Sequence, residues 1–327
     1  PEIVKGSDLL SKNLFIQDSR LGKISDIVKG ELDPSPGVEI GIAGSYGAIF
    51  INDSSQTKSR IIFSGRVALV NIIDIDSDGV CEFINRGSWG IDASLIDHKG
   101  NTVWTYGGNP GVDDMCAGDI DRDGAKEFVV GFNGRGGVHL LDKNGKKKWR
   151  QSDGNVWHVE LVDTNGDGNL EIVHSNAAGQ ITVRDGQGKV IFQTKPAPYF
   201  SHFSLCRWPS KKDREYALLA ADDTIWLFNF DGKVVAQFNA PKCGTLGRVW
   251  GQLVKIKNSQ PEYLAVIVEF ENWKRSILYV YAQPDVLVYQ EIIPETCGSI
   301  AAISLDKSGN EAIFIGCEGN VWQYKVK

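Results

Sequence analysis

The chain has no run of 18 apolar residues, so no segment is long enough to cross a bilayer as a helix. It has no polybasic stripe and no motif interleaving basic with aromatic residues, which removes nucleic acid from the expected partners. No CxxC spacing groups its 6 cysteines, which argues against zinc. Nucleophile elbow, Ser-His-Asp signature and phosphate-cradling glycine loop are all missing, and only 5 His are available as general bases. No ten-residue stretch keeps helical periodicity, which argues against a helical solenoid. The 327 residues show no signal-peptide pattern, and Pro1 rather than Met opens them, so a mature or trimmed polypeptide is expected.

What the chain does contain is one acidic motif written three times. Asp74-Ile-Asp76-Ser-Asp78-Gly79-Val80-Cys-Glu82 returns as Asp119-Ile-Asp121-Arg-Asp123-Gly124-Ala125-Lys-Glu127, and again as Asp163-Thr-Asn165-Gly-Asp167-Gly168-Asn169-Leu-Glu171. The steps between first aspartates are 45 and 44 residues. Oxygens at positions 1, 3, 5 and 9, with a backbone carbonyl at position 7, suit a hard cation that takes about six to eight oxygens. Glycine at position 6 permits the tight turn. The expected ligands are therefore Asp74, Asp76, Asp78, Val80 and Glu82; Asp119, Asp121, Asp123, Ala125 and Glu127; and Asp163, Asn165, Asp167, Asn169 and Glu171. Three Ca²⁺ ions are expected, since Mg²⁺ demands a stricter octahedron. An EF-hand does not fit, because position 12 is Asn85, Val130 or His174 instead of Glu, and the flanks are short apolar runs suited to strands. Metal-free turns are the competing expectation, but four acids in nine residues repel one another.

The closing glutamate indexes the whole chain. Glu39, Glu82, Glu127, Glu171, Glu215, Glu262 and Glu311 recur at intervals of 43 to 49 residues, each opening an apolar run. Most units continue with an Asp-x-x-Gly turn and a strand ending in an aromatic, as in Asp97-His-Lys-Gly100 before Trp104 and Asp142-Lys-Asn-Gly145 before Trp149. Four short strands per unit of this length predict an all-β, seven-bladed β-propeller of antiparallel blades, a single domain over 1–327. The last unit has three strands of its own, so Leu14–Gln17 is expected to supply the fourth and leave no open edge.

The loops and blades resemble the FG-GAP repeats of integrin-α-like propellers and the related VCBS repeats of secreted bacterial proteins. That resemblance implies Ca²⁺ in the turn between first and second strands. The first, fifth, sixth and seventh units depart from the ligand pattern.

The formal charge of −6 resides largely in the loops, and three Ca²⁺ would balance it. Extracellular calcium modules work at roughly 10⁻⁴–10⁻³ M ion. An extracellular, cell-surface or periplasmic location is therefore expected. A cross-strand disulfide is expected between Cys297 and Cys317, which are equidistant from position 307 in the last unit's first turn.

The end opposite the loops is expected to carry a ligand site formed by Asp114, Trp157, His158, His202, Arg248 and Trp250. Three roles follow. The first is a non-catalytic calcium-braced module for protein or glycan recognition and adhesion. The second is a lyase-like enzyme on acidic glycans, using His158 or His202 with Arg248. The third is a structural subunit that pairs propellers in a larger assembly.

Overall fold

The computed structural model describes residues 9–30, 39–52, 57–86, 91–108, 110–195, 203–206, 216–221, 224–230, 233–239, 249–254, 263–270, 273–305 and 310–327. Among them the chain forms seven four-stranded antiparallel sheets and one three-residue 3-10 turn, Ser19–Leu21, with no α-helix. The first sheet comprises Ile24–Lys29, Glu39–Gly44, Gly47–Asn52 and Thr57–Ile62. The second has Val70–Ile73, Glu82–Asn85, Ala93–Ile96 and Thr102–Tyr106. Val112–Gly118, Glu127–Phe132, Gly137–Leu141 and Lys147–Gln151 make the third, and Val156–Val162, Glu171–Asn176, Ile181–Arg184 and Val190–Thr194 the fourth. The fifth and sixth open with Phe203–Cys206 and Val249–Val254. The seventh holds Ser299–Ile303, Ala312–Gly316 and Asn320–Val326, and its fourth member is Leu10–Gln17 from the other end of the chain.

Burial explains why one alternation rule does not read every strand. Second and third strands such as Glu127–Phe132 and Gly137–Leu141 are buried along their whole length, because neighbouring sheets cover both faces. Outer strands such as Thr102–Tyr106, Lys147–Gln151 and Val190–Thr194 are largely exposed. Four of the indexing glutamates, Glu39, Glu82, Glu127 and Glu171, begin second strands as expected. Ala312, next to Glu311, begins another. Glu215 and Glu262 lie outside the described residues.

First strands stand side by side. Ile24–Lys29 packs against Val70–Ile73 on one flank and Ser299–Ile303 on the other, and Val112–Gly118 packs against Val156–Val162. Side chains latch these seams. Ser25 Oγ donates to the Val70 carbonyl at 2.6 Å and accepts the Val70 N–H at 2.8 Å, while Asp26 accepts the Ile72 N–H at 2.8 Å. The outer tryptophans fill seams too. Trp104 meets Phe128 edge-on at 4.7 Å between ring centroids, and Trp149 donates its indole N–H to Gly186 at 2.9 Å. Gly145 has φ +75°, and a Cβ there would lie 2.7 Å from the Trp104 ring, so the Asp-x-x-Gly turn needs glycine for its backbone and for the approach.

The N-terminal strand is fastened at several points. Phe15 packs edge-on against Phe314 at 5.0 Å, and Lys12 pairs with Glu291 at 2.7 Å while lying 4.1 Å from the Trp322 ring centroid. Close by, the expected disulfide joins Cys297 to Cys317.

Candidate functional site

The three acidic motifs occupy the turns between first and second strands of the second, third and fourth sheets, so they share one end of the molecule. Their backbone is the same in each. Positions 4 and 6 are left-handed: Ser77 and Gly79 at φ 62° and 86°, Arg122 and Gly124 at 61° and 89°, Gly166 and Gly168 at 82° and 81°. The position-1 aspartate accepts the position-6 N–H, at 3.2 Å in Asp74, 3.1 Å in Asp119 and 2.7 Å in Asp163. The position-5 carboxylate accepts the position-7 N–H of Val80, Ala125 or Asn169 at 2.7–2.8 Å. The closing glutamate reaches back to the position-2 N–H, at 3.0 Å from Glu82 to Ile75, 3.1 Å from Glu127 to Ile120 and 2.8 Å from Glu171 to Thr164. The acids therefore also shape the turn, a role the repulsion argument left out.

Two loops gather oxygens as a cation would need. Asp74, Asp76 and Asp78 bring ligand atoms within 4.8 Å of one another, as do Asp119, Asp121 and Glu127. Asp119 Oδ1 is buried with no hydrogen-bond donor. These sets fit a hard divalent ion. In the third loop the Asn165 amide donates to Asp167 at 3.2 Å and Glu171 at 3.5 Å. Protein cations already serve the region. Lys148 bridges Asp121 at 3.0 Å and Glu127 at 3.2 Å, and its hydrogen bond holds the Asp121 carboxyl below the usual range. Lys126 donates to the Asp74 carbonyl, and Arg122 to those of Asp167 at 2.8 Å and Gly168 at 3.1 Å, so the middle loop ties down both neighbours. Burial, then the neighbouring loop acids, push the Glu82 carboxyl up.

The expected ligand residues fare differently. Asp114 and His158 do meet, at 2.5 Å from Oδ2 to Nδ1, but they are 3% and 1% exposed. They form a buried ion chain across the seam between third and fourth sheets, which corrects their placement at an open mouth. Arg86 Nε donates to Asp114 Oδ1 at 3.1 Å, the Val159 N–H to Oδ2 at 3.1 Å, and Glu160 lies 3.2 Å from His158 Nε2. Burial opposes charge on Asp114, yet Arg86 and His158 outweigh it and hold the carboxyl low. Burial likewise opposes charge on His158, and Asp114 outweighs it, raising the imidazole. Both ring nitrogens face carboxylates, an arrangement for holding charge and not for abstracting a proton. Trp157 is half-buried at the adjoining bulge. Trp250 lies in Val249–Val254 with its side chain outside the described residues, where His202 and Arg248 also fall.

Beside this chain, Asp26, Asn71, Arg86, Cys116 and Glu160 line a cavity of about 210 Å³. Glu160 and Asp26 were not among the expected site residues. Each is an acidic residue inside a first strand, Asp26 in Ile24–Lys29 and Glu160 in Val156–Val162. A second buried set links Asp153, His174 and Arg184, with His174 Nε2 3.5 Å from Asp153 and accepting from Arg184 Nε at 3.4 Å.

Sheet architecture and carboxylate loops define an all-β protein with a built set of acidic turns at one end. No family model matches the chain. Among curated proteins, the BBSome complex member BBS2 of Rattus norvegicus and that of Mus musculus are each 26% identical over 129 residues. The match takes in 39% of this chain and 18% of each relative's length. Two crystal structures of BBS1N in complex with ARL6DN, one soaked with lead and one with mercury, share the fold at TM-scores of 0.69 and 0.67. Their identities are 13% and 12%, over 99% of this chain and 98% of theirs.

These likenesses correct the expected role. The likeness to a BBSome complex member overturns the secreted adhesion module, the glycan ligand and the glycan lyase. The extracellular, cell-surface or periplasmic location falls with them.

Proposed function

We propose that the chain is a seven-bladed β-propeller, one domain over 1–327, serving as a subunit of a multi-protein assembly and presenting surfaces to protein partners. The observation that carries this reading is the likeness to BBS2, a BBSome complex member, over 129 residues. It is supported by the full-length likeness to BBS1N, whose crystal structures hold ARL6DN. Propeller closure accounts for first strands that pack on both flanks and for a last sheet completed from the N-terminus. The experiment is to isolate the tagged protein from its native source at physiological salt and weigh the eluted species. Stoichiometric co-elution with other subunits is expected; a monomer alone overturns the reading.

The acidic turns enter the same proposal as braces. Asp74, Asp76, Asp78 and Glu82, then Asp119, Asp121, Asp123 and Glu127, then Asp163, Asn165, Asp167 and Glu171 would each hold Ca²⁺, with the carbonyls of Val80, Ala125 and Asn169. The likeness to FG-GAP and VCBS loops supplies the choice of ion, and nothing of an adhesive role is carried over. A bound cation would supply only charge neutralisation there.

A further inference from the structure

A long hairpin joins Tyr263–Phe270 to Arg275–Gln283, strands of 8 and 9 residues. It turns at the end away from the acidic loops. Its tip carries Trp273, 51% exposed, which stacks on Phe270 at 6.0 Å and lies 5.3 Å beneath the Arg275 guanidinium. Lys274 beside it is held at φ 47°. An exposed tryptophan whose ring is already ordered is the kind of residue that anchors protein interfaces, because little side-chain entropy is left to lose.

Next to this tip is a cavity of about 480 Å³ lined by Lys23, Glu269, Lys274, Glu295, Thr296 and Glu318, together with Pro294. Three sheets contribute to it. Lys23 is committed to Glu269 at 3.4 Å. Glu295 is oriented by neutral donors, the Asn320 amide at 2.7 Å and the Trp322 indole at 2.9 Å, so its charge stays uncompensated by them. Among the described residues neither Glu295 nor Glu318 belongs to an ion pair. The walls are fixed in advance. The Cys297–Cys317 disulfide joins the residue after Thr296 to the residue before Glu318, and the Cys297 N–H donates to Ser276 Oγ at 2.9 Å.

We propose that this cavity and Trp273 form a docking site for a basic segment of a partner protein, with a Lys or Arg side chain entering beside Glu295 and Glu318 and Trp273 covering the flanking backbone. Charge complementarity selects this occupant, since Glu295 and Glu318 face Lys274 alone once Lys23 is paired. A guanidinium or ammonium meets carboxylates already held in place, so few rotamers need ordering on binding. The proposal takes its biological sense from the assembly reading but is read out separately.

The test titrates the intact chain with a hexa-arginine and a hexa-glutamate peptide, following Trp fluorescence and calorimetry. Hexa-arginine should bind the more tightly. Glu318→Gln should weaken it about threefold, as for an exposed charge pair. Trp273→Ala should weaken it about tenfold or more, as for an interface anchor. Asp285→Asn removes the same charge at the far turn of that sheet, where φ 62° suits asparagine, and should change nothing. Equal binding of the two peptides, or an Asp285→Asn loss as large as that of Glu318→Gln, overturns the proposal. If the cavity binds while the isolated protein elutes as a monomer, the assembly reading fails and the docking site stands.

Discussion

At the residue scale, the buried ion chain sets the terms of stability. Asp114 is the shared partner of Arg86 and His158, and the Asp114 and His158 side chains are almost wholly buried. Asp114→Asn keeps the shape and strands two cations, so a loss of about 3–5 kcal/mol is expected from urea unfolding. A loss below about 1 kcal/mol would mean the chain behaves like an exposed pair. The histidines give opposite pH slopes. Burial pushes His174 and His139 down to about 4, so their contribution is complete above the unfolded value near 6.5 and disappears as pH falls through 4. His158 is raised, so its contribution is complete below 6.5 and is lost as pH rises through its folded value. His174→Gln should therefore remove a stability loss of up to about 3 kcal/mol between pH 7 and 4, read from urea unfolding of the two proteins across that range.

Among the elements, turns and edges carry the specificity. Gly145→Ala meets both a left-handed backbone and the Trp104 ring, and a loss of about 1–2 kcal/mol or more is expected in thermal melts. Removing residues 1–17 takes the outer strand off Asn320–Val326 and leaves that edge unpaired. Aggregation seen by light scattering is the expected result. If the acidic turns hold Ca²⁺, saturating ion at about 100 times Kd stabilises the fold by about 2.7 kcal/mol per site, and EDTA lowers the melting temperature. Melting that ignores both calcium and EDTA removes the bracing role. The turns were legible because their chemistry is local: Asp, Gly and Glu at fixed offsets in nine residues make the same hydrogen bonds in each of three copies. Strand partners in the last sheet were legible for a related reason, since a unit one strand short needs an outside edge. The Asp114–His158 contact was not, because its meaning depends on which strands become neighbours.

On the scale of the whole molecule, role and partner were the least readable. Calcium-loop likeness pointed outward, to secretion and glycans, and the likeness to BBS2, a BBSome complex member, overturned that direction. Loop chemistry answers to the cation and not to the surroundings of the protein, so it could not have told these apart. Sequence alone determined the all-β class, the repeat, the carboxylate turns and the Cys297–Cys317 pair, because each follows from spacing along the chain and the short-range geometry of strands and turns. Only tertiary structure decided that Asp114 and His158 are buried in one chain with Arg86 and Glu160, and that Lys23, Glu269, Glu295 and Glu318 line one cavity. Side chains 28 to 295 residues apart are brought together by how sheets pack, and burial, which weighs on every charge's contribution, exists only once they have packed.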